Sequence, residues 1–358
     1  MANNNFDLTN LAIQTICPNN ELLYDDLGKP SVMVKIPKMT YAQLGLGTST
    51  AVHPAFIVDG VEKSALWISK YQNIVQNSRA YSLPARDPRA QITFDVARAA
   101  CTAKGAGWHL MTRAEWAMLA LWCKKNGTQP RGNNNYGKDH NESVYSAIPT
   151  YYDGANIGRV ATGTGPLTWS HDGTPSGIWD LNGNVWEWVG GLRLVYGEVQ
   201  VLANNNAAIV TANQAANSAE WKAIDATTGE LITPNGSGTT ENSVKLNYVS
   251  SHWQWDTTIS SKSDSSRNAP FENTTCSANI SDAAKLVLQA LCLFKYDATS
   301  GAYSGDYFYA NNGASERSFF CGGNWYLGAS YGVFALFGNY ARSLSNASFG
   351  FRSAYYEP

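Results

Sequence analysis

Apolar positions in this chain follow a helical rhythm in some stretches, a strand rhythm in others, and no rhythm near the end. ITFDVARAACTAKG (92–105) repeats apolar residues at helical spacing and stops near Gly105, which predicts a helix. MTRAEWAMLALWCKKNG (111–127) predicts a second. Thr112 and Glu115 form a capping-box pair, Lys124 and Lys125 charge the last turn, and Gly127 ends it. SDAAKLVLQALCLF (281–294) predicts a third. PAFIVDG and KSALWISKYQ (54–72) read as strands around an Asp59-Gly60 turn. Two helices after a strand, followed by a long loop-rich remainder, argue for an α+β chain.

The polar stretches divide the sequence. Residues 1–50 mix short apolar runs with turns and read as an N-terminal extension. RGNNNYGKDHNESV is a loop by composition. From 196 to 315 the character changes to polar loops around a few strands, such as TPNGSGTTENS and SSKSDSSRNAPFENTT, which reads as an insertion. That leaves 51–195 and 316–358 as one domain.

With 44% apolar and 15% charged residues, the chain buries a core. Its formal net charge of −2 gives no electrostatic footprint for nucleic acid or an anionic membrane. The first twenty residues lack the basic and apolar regions of a secretory signal, and no apolar run reaches membrane-spanning length. Six cysteines stand far apart with no CxxC or Cys/His spacing, so free thiols are expected rather than zinc or a disulfide framework.

Three stretches carry a family likeness. GWHLMTRAEWAMLALW, GIWDLNGNVWEWVGG and the closing GGNW…ARS…GFRSA resemble, in order and spacing, the conserved segments of formylglycine-generating enzymes. The resemblance implies an elaborated C-type lectin-like fold of the sulfatase-modifying type, loop-rich, with 196–315 inserted. Gly183 and the flanking asparagines suit a tight turn, and Trp179, Trp186 and Trp188 suit a core short of regular elements. By analogy with that family, Asn184 or Glu187 would be the place for a structural calcium. The family's oxidase chemistry needs a pair of thiolates in the last segment. Here YGVFALFGNYARS fills that place, and no cysteine follows Cys321. Oxidase activity is therefore not expected. The five histidines are isolated, and GASYG (328–332) matches a nucleophile elbow without the strand, helix or acid that an elbow needs.

The tail CGGNWYLGASYGVFALFGNYARSLSNASFGFRSAYYEP resembles the variable segment of diversity-generating retroelement proteins, one branch of the same fold family. In them a template repeat is copied with its adenines randomised, so template AAC or AAT codons become any codon ending in a pyrimidine. Such codons exclude Lys, Glu, Gln, Met and Trp, and none of these occurs between Tyr326 and Phe349. The resemblance implies diversified, ligand-contacting positions at Asn324, Tyr326, Leu327, Ser330, Tyr331, Phe337, Gly338, Asn339, Tyr340, Leu344, Ala347, Ser348 and Phe349. Their large side chains follow neither period two nor 3.6, which reads as an exposed face; Val333, Phe334 and Leu336 are the core candidates.

The function these features imply is a display protein without catalysis, with a phage tail receptor-binding protein as the first expectation. Its partner would be a protein or glycan on a bacterial surface, with other virion proteins or a second copy also open. Its location would be the virion, or the cytoplasm during synthesis. A formylglycine-generating-type oxidase and a purely structural virion protein are the alternatives.

Overall fold

The computed structural model describes residues 7–145 and 147–358. Among the described residues, four α-helices, α1 (Leu8–Ile16), α2 (Phe94–Thr102), α3 (Arg113–Asn126) and α4 (Asp282–Ala290), accompany many short strands and long loops. The chain is mixed α/β, sheet-rich and loop-rich. Among the described residues, no helix is long and apolar enough to cross a membrane.

The helices start where their caps dictate. Thr93 and Ser281 accept from the backbone N–H three residues on, at Val96 and Ala284. Thr112 and Glu115 form the full reciprocal box on α3, and Gly127 closes it at φ 67°. The inserted helix α4 is shorter than its sequence pattern and stops at Ala290, before Cys292 turns the chain at φ 47°.

Two sheets organise the molecule. One has five antiparallel strands, in the order Asn20–Tyr24, Pro30–Pro37, Ala65–Ser69, Ser353–Tyr355, Trp108–Leu110. Its first two strands come from the presumed extension, so residues 20–37 are integral to the fold. The second of them, Pro30–Pro37, pairs against Ala65–Ser69, whose five residues are all buried. The second sheet has twelve strands. The inserted segment runs into it: Tyr307–Ala310 lies parallel to Leu336–Tyr340, which pairs antiparallel with Arg317–Cys321. The segment 196–315 therefore supplies strands to the domain's own sheet.

The strand Trp186–Val195 explains the Trp-rich signature. Trp186 and Trp188 point to one face and join a core cluster with Phe94, Phe320, Phe337 and Phe349. Glu187, between them, points to the other face and meets Arg352 from the tail, at 2.6 Å from both Nε and Nη2. Arg352 is fully buried, and its remaining donors reach the carbonyls of Ser69 (3.0 Å) and Trp179 (3.0 Å). Gln72 completes the set. Its amide nitrogen donates to Glu187 (3.0 Å) and to the carbonyls of Asp180 and Val185, and its oxygen accepts from Asn184 at 2.9 Å. Gly183, at φ 79°, packs against the Asn133 backbone, where a Cβ would overlap.

Glu187→Gln is expected to cost about 3–5 kcal/mol, because it leaves a buried guanidinium without its counter-charge. Guanidinium-chloride unfolding of the two proteins measures it. A change no larger than that of Glu62→Gln, in an exposed pair with Lys38, would contradict the assignment.

Candidate functional site

The tail begins with a hairpin-like descent into the core. Gly322 and Gly323 take φ 87° and 100°, and a Cβ on Gly323 would strike the Tyr331 ring. Trp325 is buried against Tyr151 (ring centroids 5.7 Å), and its carbonyl accepts from Tyr136 at 2.6 Å. Val333, Phe334 and Leu336 enter the main core. Trp116 of α3 donates its indole N–H to the Val333 carbonyl at 2.8 Å. Arg342 forms a charge cluster with Asp95 (2.5 Å) and Glu316 (3.5 Å).

A buried carboxyl fixes the middle of this segment. Asp306 accepts from Phe334 N–H at 2.7 Å, and Gly332 leaves no room for a side chain beside it. Burial pushes its pKa up from 3.8 to about 8, against the pull of the Phe334 and Ala335 amides.

The thirteen tail positions divide. Tyr326, Leu327 and Tyr340 stand 41–44% exposed. Ser330, Leu344 and Ala347 are half-buried. Asn324, Tyr331, Phe337, Gly338, Asn339, Ser348 and Phe349 are buried, which corrects the expectation that all thirteen line an exposed face. Phe337 lies 4.1 Å from Trp186 and stacks on Tyr309 at 4.2 Å (centroid distances). Phe349 meets Phe320 at 4.6 Å and Trp188 at 5.4 Å. Tyr331 packs on Trp186 at 4.6 Å; burial pushes its phenol pKa up, and the phenols of Tyr326, Tyr309 and Tyr340 push the same way. A Cβ on Gly338 would run into the Phe319 ring, so that position is closed to larger residues unless the ring moves. Asn324 accepts from Tyr326 N–H (3.3 Å), Asn339 donates to Ser266 (3.1 Å), and Ser348 donates to Asn346 (2.7 Å).

The missing rhythm has a structural cause. Phe337 pairs with Phe320 while Tyr340 pairs with Ser318, so three steps on the tail strand span two on its neighbour. This bulge resets the alternation. Phe337 and Tyr340, an odd number of residues apart, both contact Phe320.

Residues outside the tail join this face. Tyr309, half-buried, stacks on Phe337, and Tyr307 lies 5.9 Å from Tyr309 by ring centroids. Tyr151 supports Trp325, and Arg159 donates to the Ala347 carbonyl at 2.8 Å. The sequence signal for the pair was the alternation in YFYA (307–310), obscured by the polar segment around it.

The residues implied for calcium do not fit a cation. Arg352 and Gln72 occupy the Glu187 oxygens, and Asn184 Oδ1 accepts from Val160 N–H at 2.9 Å. Among the described residues, no group of three His, Cys, Asp or Glu side chains could hold a metal. Cys321 is buried, with Arg113 Nη1 3.0 Å from its sulfur, and burial holds its thiol up at about 11.

No family model matches the chain, and no curated protein matches it. Among solved structures, Treponema denticola variable protein 1 is similar, with 11% identity over 95% of this chain and 100% of that chain, at a TM-score of 0.35. A score that low carries no argument for fold or function.

Two measurements test the geometry. Phe337→Ala is expected to destabilise the protein by about 3–5 kcal/mol, and Tyr340→Ala by well under half as much, in denaturant unfolding. Equal costs would return both residues to one environment. The folded protein holds the Asp306 proton that the unfolded chain releases near pH 3.8, so this group's stabilisation falls as pH rises from about 4 to about 8. Asp306→Asn is expected to flatten the unfolding midpoint over that window; an unchanged slope contradicts the assignment.

Proposed function

We propose that the chain is a ligand-binding display protein with a C-type lectin-like fold of the formylglycine-generating type, whose C-terminal segment is diversified by a retroelement. The observation that carries this reading is the division within the tail. Gly322, Gly323, Trp325, Gly332, Gly350 and Arg352 are buried in fixed roles, while Tyr326, Leu327 and Tyr340 project outward on the same segment. Tyrosine suits such a face, giving large contact area for few rotatable bonds.

The contact set under this reading is smaller than the diversified set. Tyr326, Leu327, Ser330, Tyr340, Leu344 and Ala347 meet the ligand. The buried Asn324, Tyr331, Phe337, Asn339, Ser348 and Phe349 act through the shape of the surface above them. The fixed Tyr307 and Tyr309 border the face. The partner is a protein or glycan on a bacterial surface, and the setting is a phage tail. No catalytic role is assigned, since the thiol of this segment, Cys321, is buried and burial pushes it up to about 11.

The triple variant Tyr326→Ala, Leu327→Ala, Tyr340→Ala is expected to unfold within about 1–2 kcal/mol of the parent, because exposed substitutions are cheap. It should lose capture of the bacterial cells that the parent binds, read by flow cytometry with labelled protein. Retained capture would remove the tail from the binding face. Sequencing the DNA downstream of the gene tests the diversification itself, since a near-copy of the last codons differing at adenines is required.

A further inference from the structure

A polar groove of about 340 Å³ opens beside the tail, lined by Val75, Asp87, Arg89, Gln91, Arg159 and Ala347, among others. Its size lies at the lower end of small-ligand sites, about 300–1,000 Å³. One wall is fixed. Arg159 spans the Asp87 carboxylate at 2.9 and 3.0 Å, lies over the Tyr151 ring at 4.3 Å, and holds the Ala347 carbonyl. Thr150 donates to the same carboxylate at 2.7 Å, so Asp87 is neutralised and occupied.

The Arg89–Gln91 part of the lining is free. Arg89 is exposed and, among the described residues, its guanidinium makes no ion pair or hydrogen bond. Gln91 is exposed at φ 54°, with its backbone N–H held by the Asn346 carbonyl at 2.9 Å and its side-chain amide without a partner among the described residues. The groove thus offers one unpaired cation, one free amide, and an apolar patch from Val75, Pro88 and Ala347.

We infer that this groove binds a carboxylate-bearing sugar ring, of the uronic-acid kind, as the terminal unit of an acidic glycan. Arg89 takes the carboxylate, because guanidinium and carboxylate match as a two-pronged pair. Gln91 offers a donor and an acceptor to ring hydroxyls. Val75 and Pro88 face the ring's C–H side. An acidic peptide would satisfy Arg89 but leave the amide and the ring-sized volume unused. Residue 347 is the gate: alanine leaves the groove open, and a large side chain there fills it. The biological sense of that gate rests on the proposed reading of Ala347 as a diversified position; the groove itself does not.

The test is saturation-transfer NMR on the full chain with methyl β-D-glucuronide, methyl β-D-glucoside and N-acetylglutamate as probes. The glucuronide is expected to bind. The glucoside, and the glucuronide on Arg89→Gln, should each bind at least about tenfold more weakly, the smallest loss expected when a two-pronged charge-assisted pair is removed. Ala347→Phe should abolish the signal, and the tail triple variant should keep it. Absence of glucuronide binding, binding that survives Ala347→Phe, or N-acetylglutamate binding as well as the glucuronide would each overturn the inference. Cell capture by the parent separates this failure from failure of the display reading, which the triple variant tests without involving the groove.

Discussion

The buried pair of Arg352 with Glu187 constrains everything around it. Two charges taken out of water are tolerable only if they are paired and hydrogen-bonded, and here every side-chain nitrogen and oxygen of the pair has a partner: two bonds to the carboxylate, two to distant carbonyls, and one from Gln72. The five residues come from three separate stretches of the chain, at Ser69 and Gln72, at Trp179 and Glu187, and at Arg352. Because the pair is worth little unless its geometry is met in full, it acts as a register pin. It fixes where the tail's last strand enters the five-stranded sheet and where Trp186 and Trp188 stand on the opposite face.

That opposite face is an aromatic platform on which the tail rests. Trp186 and Trp188 belong to the signature strand, Phe320 to the strand before the tail, and Tyr309 to the inserted segment. The tail adds Tyr331, Phe337 and Phe349 as an inner layer, and Tyr340 as an outer one. Aromatic contacts of this kind tolerate exchange among large apolar side chains better than among polar ones, because what they require is volume and offset ring geometry.

Much of this was legible in the residues. The box that starts α3 appeared as Thr112 and Glu115, since capping is a local matter. The Asp59-Gly60 turn was legible for the same reason, and the core roles of Val333, Phe334 and Leu336 came from the framework positions of the resemblance. What was not legible is long-range. The strands at 20–37 complete a sheet whose other members lie far along the chain. The parallel pairing of 307–310 with 336–340 crosses the supposed boundary of the insertion. The bulge opposite Ser318 and Phe320 removed the period that would have marked Phe337 as buried. An aperiodic run of large residues was thus read as surface, when its irregularity came from a register shift within the sheet.

Burial sets a limit on any diversification of this tail. A codon ending in a pyrimidine admits Asp, Asn, His and Arg as freely as Phe or Tyr. At Phe337 or Phe349 a charged residue would lie against Trp186 or Trp188 without a partner, a cost of several kcal/mol in a protein whose whole stability is about 5–15. At Gly338 even a methyl group meets Phe319. Variants of that kind are lost by unfolding before binding enters. Under the proposed reading, usable variety would therefore concentrate where the side chain already leaves the platform, at Tyr326, Leu327, Ser330, Tyr340, Leu344 and Ala347. The inner aromatic positions would contribute a narrower choice among apolar shapes, which would tilt the outer ones.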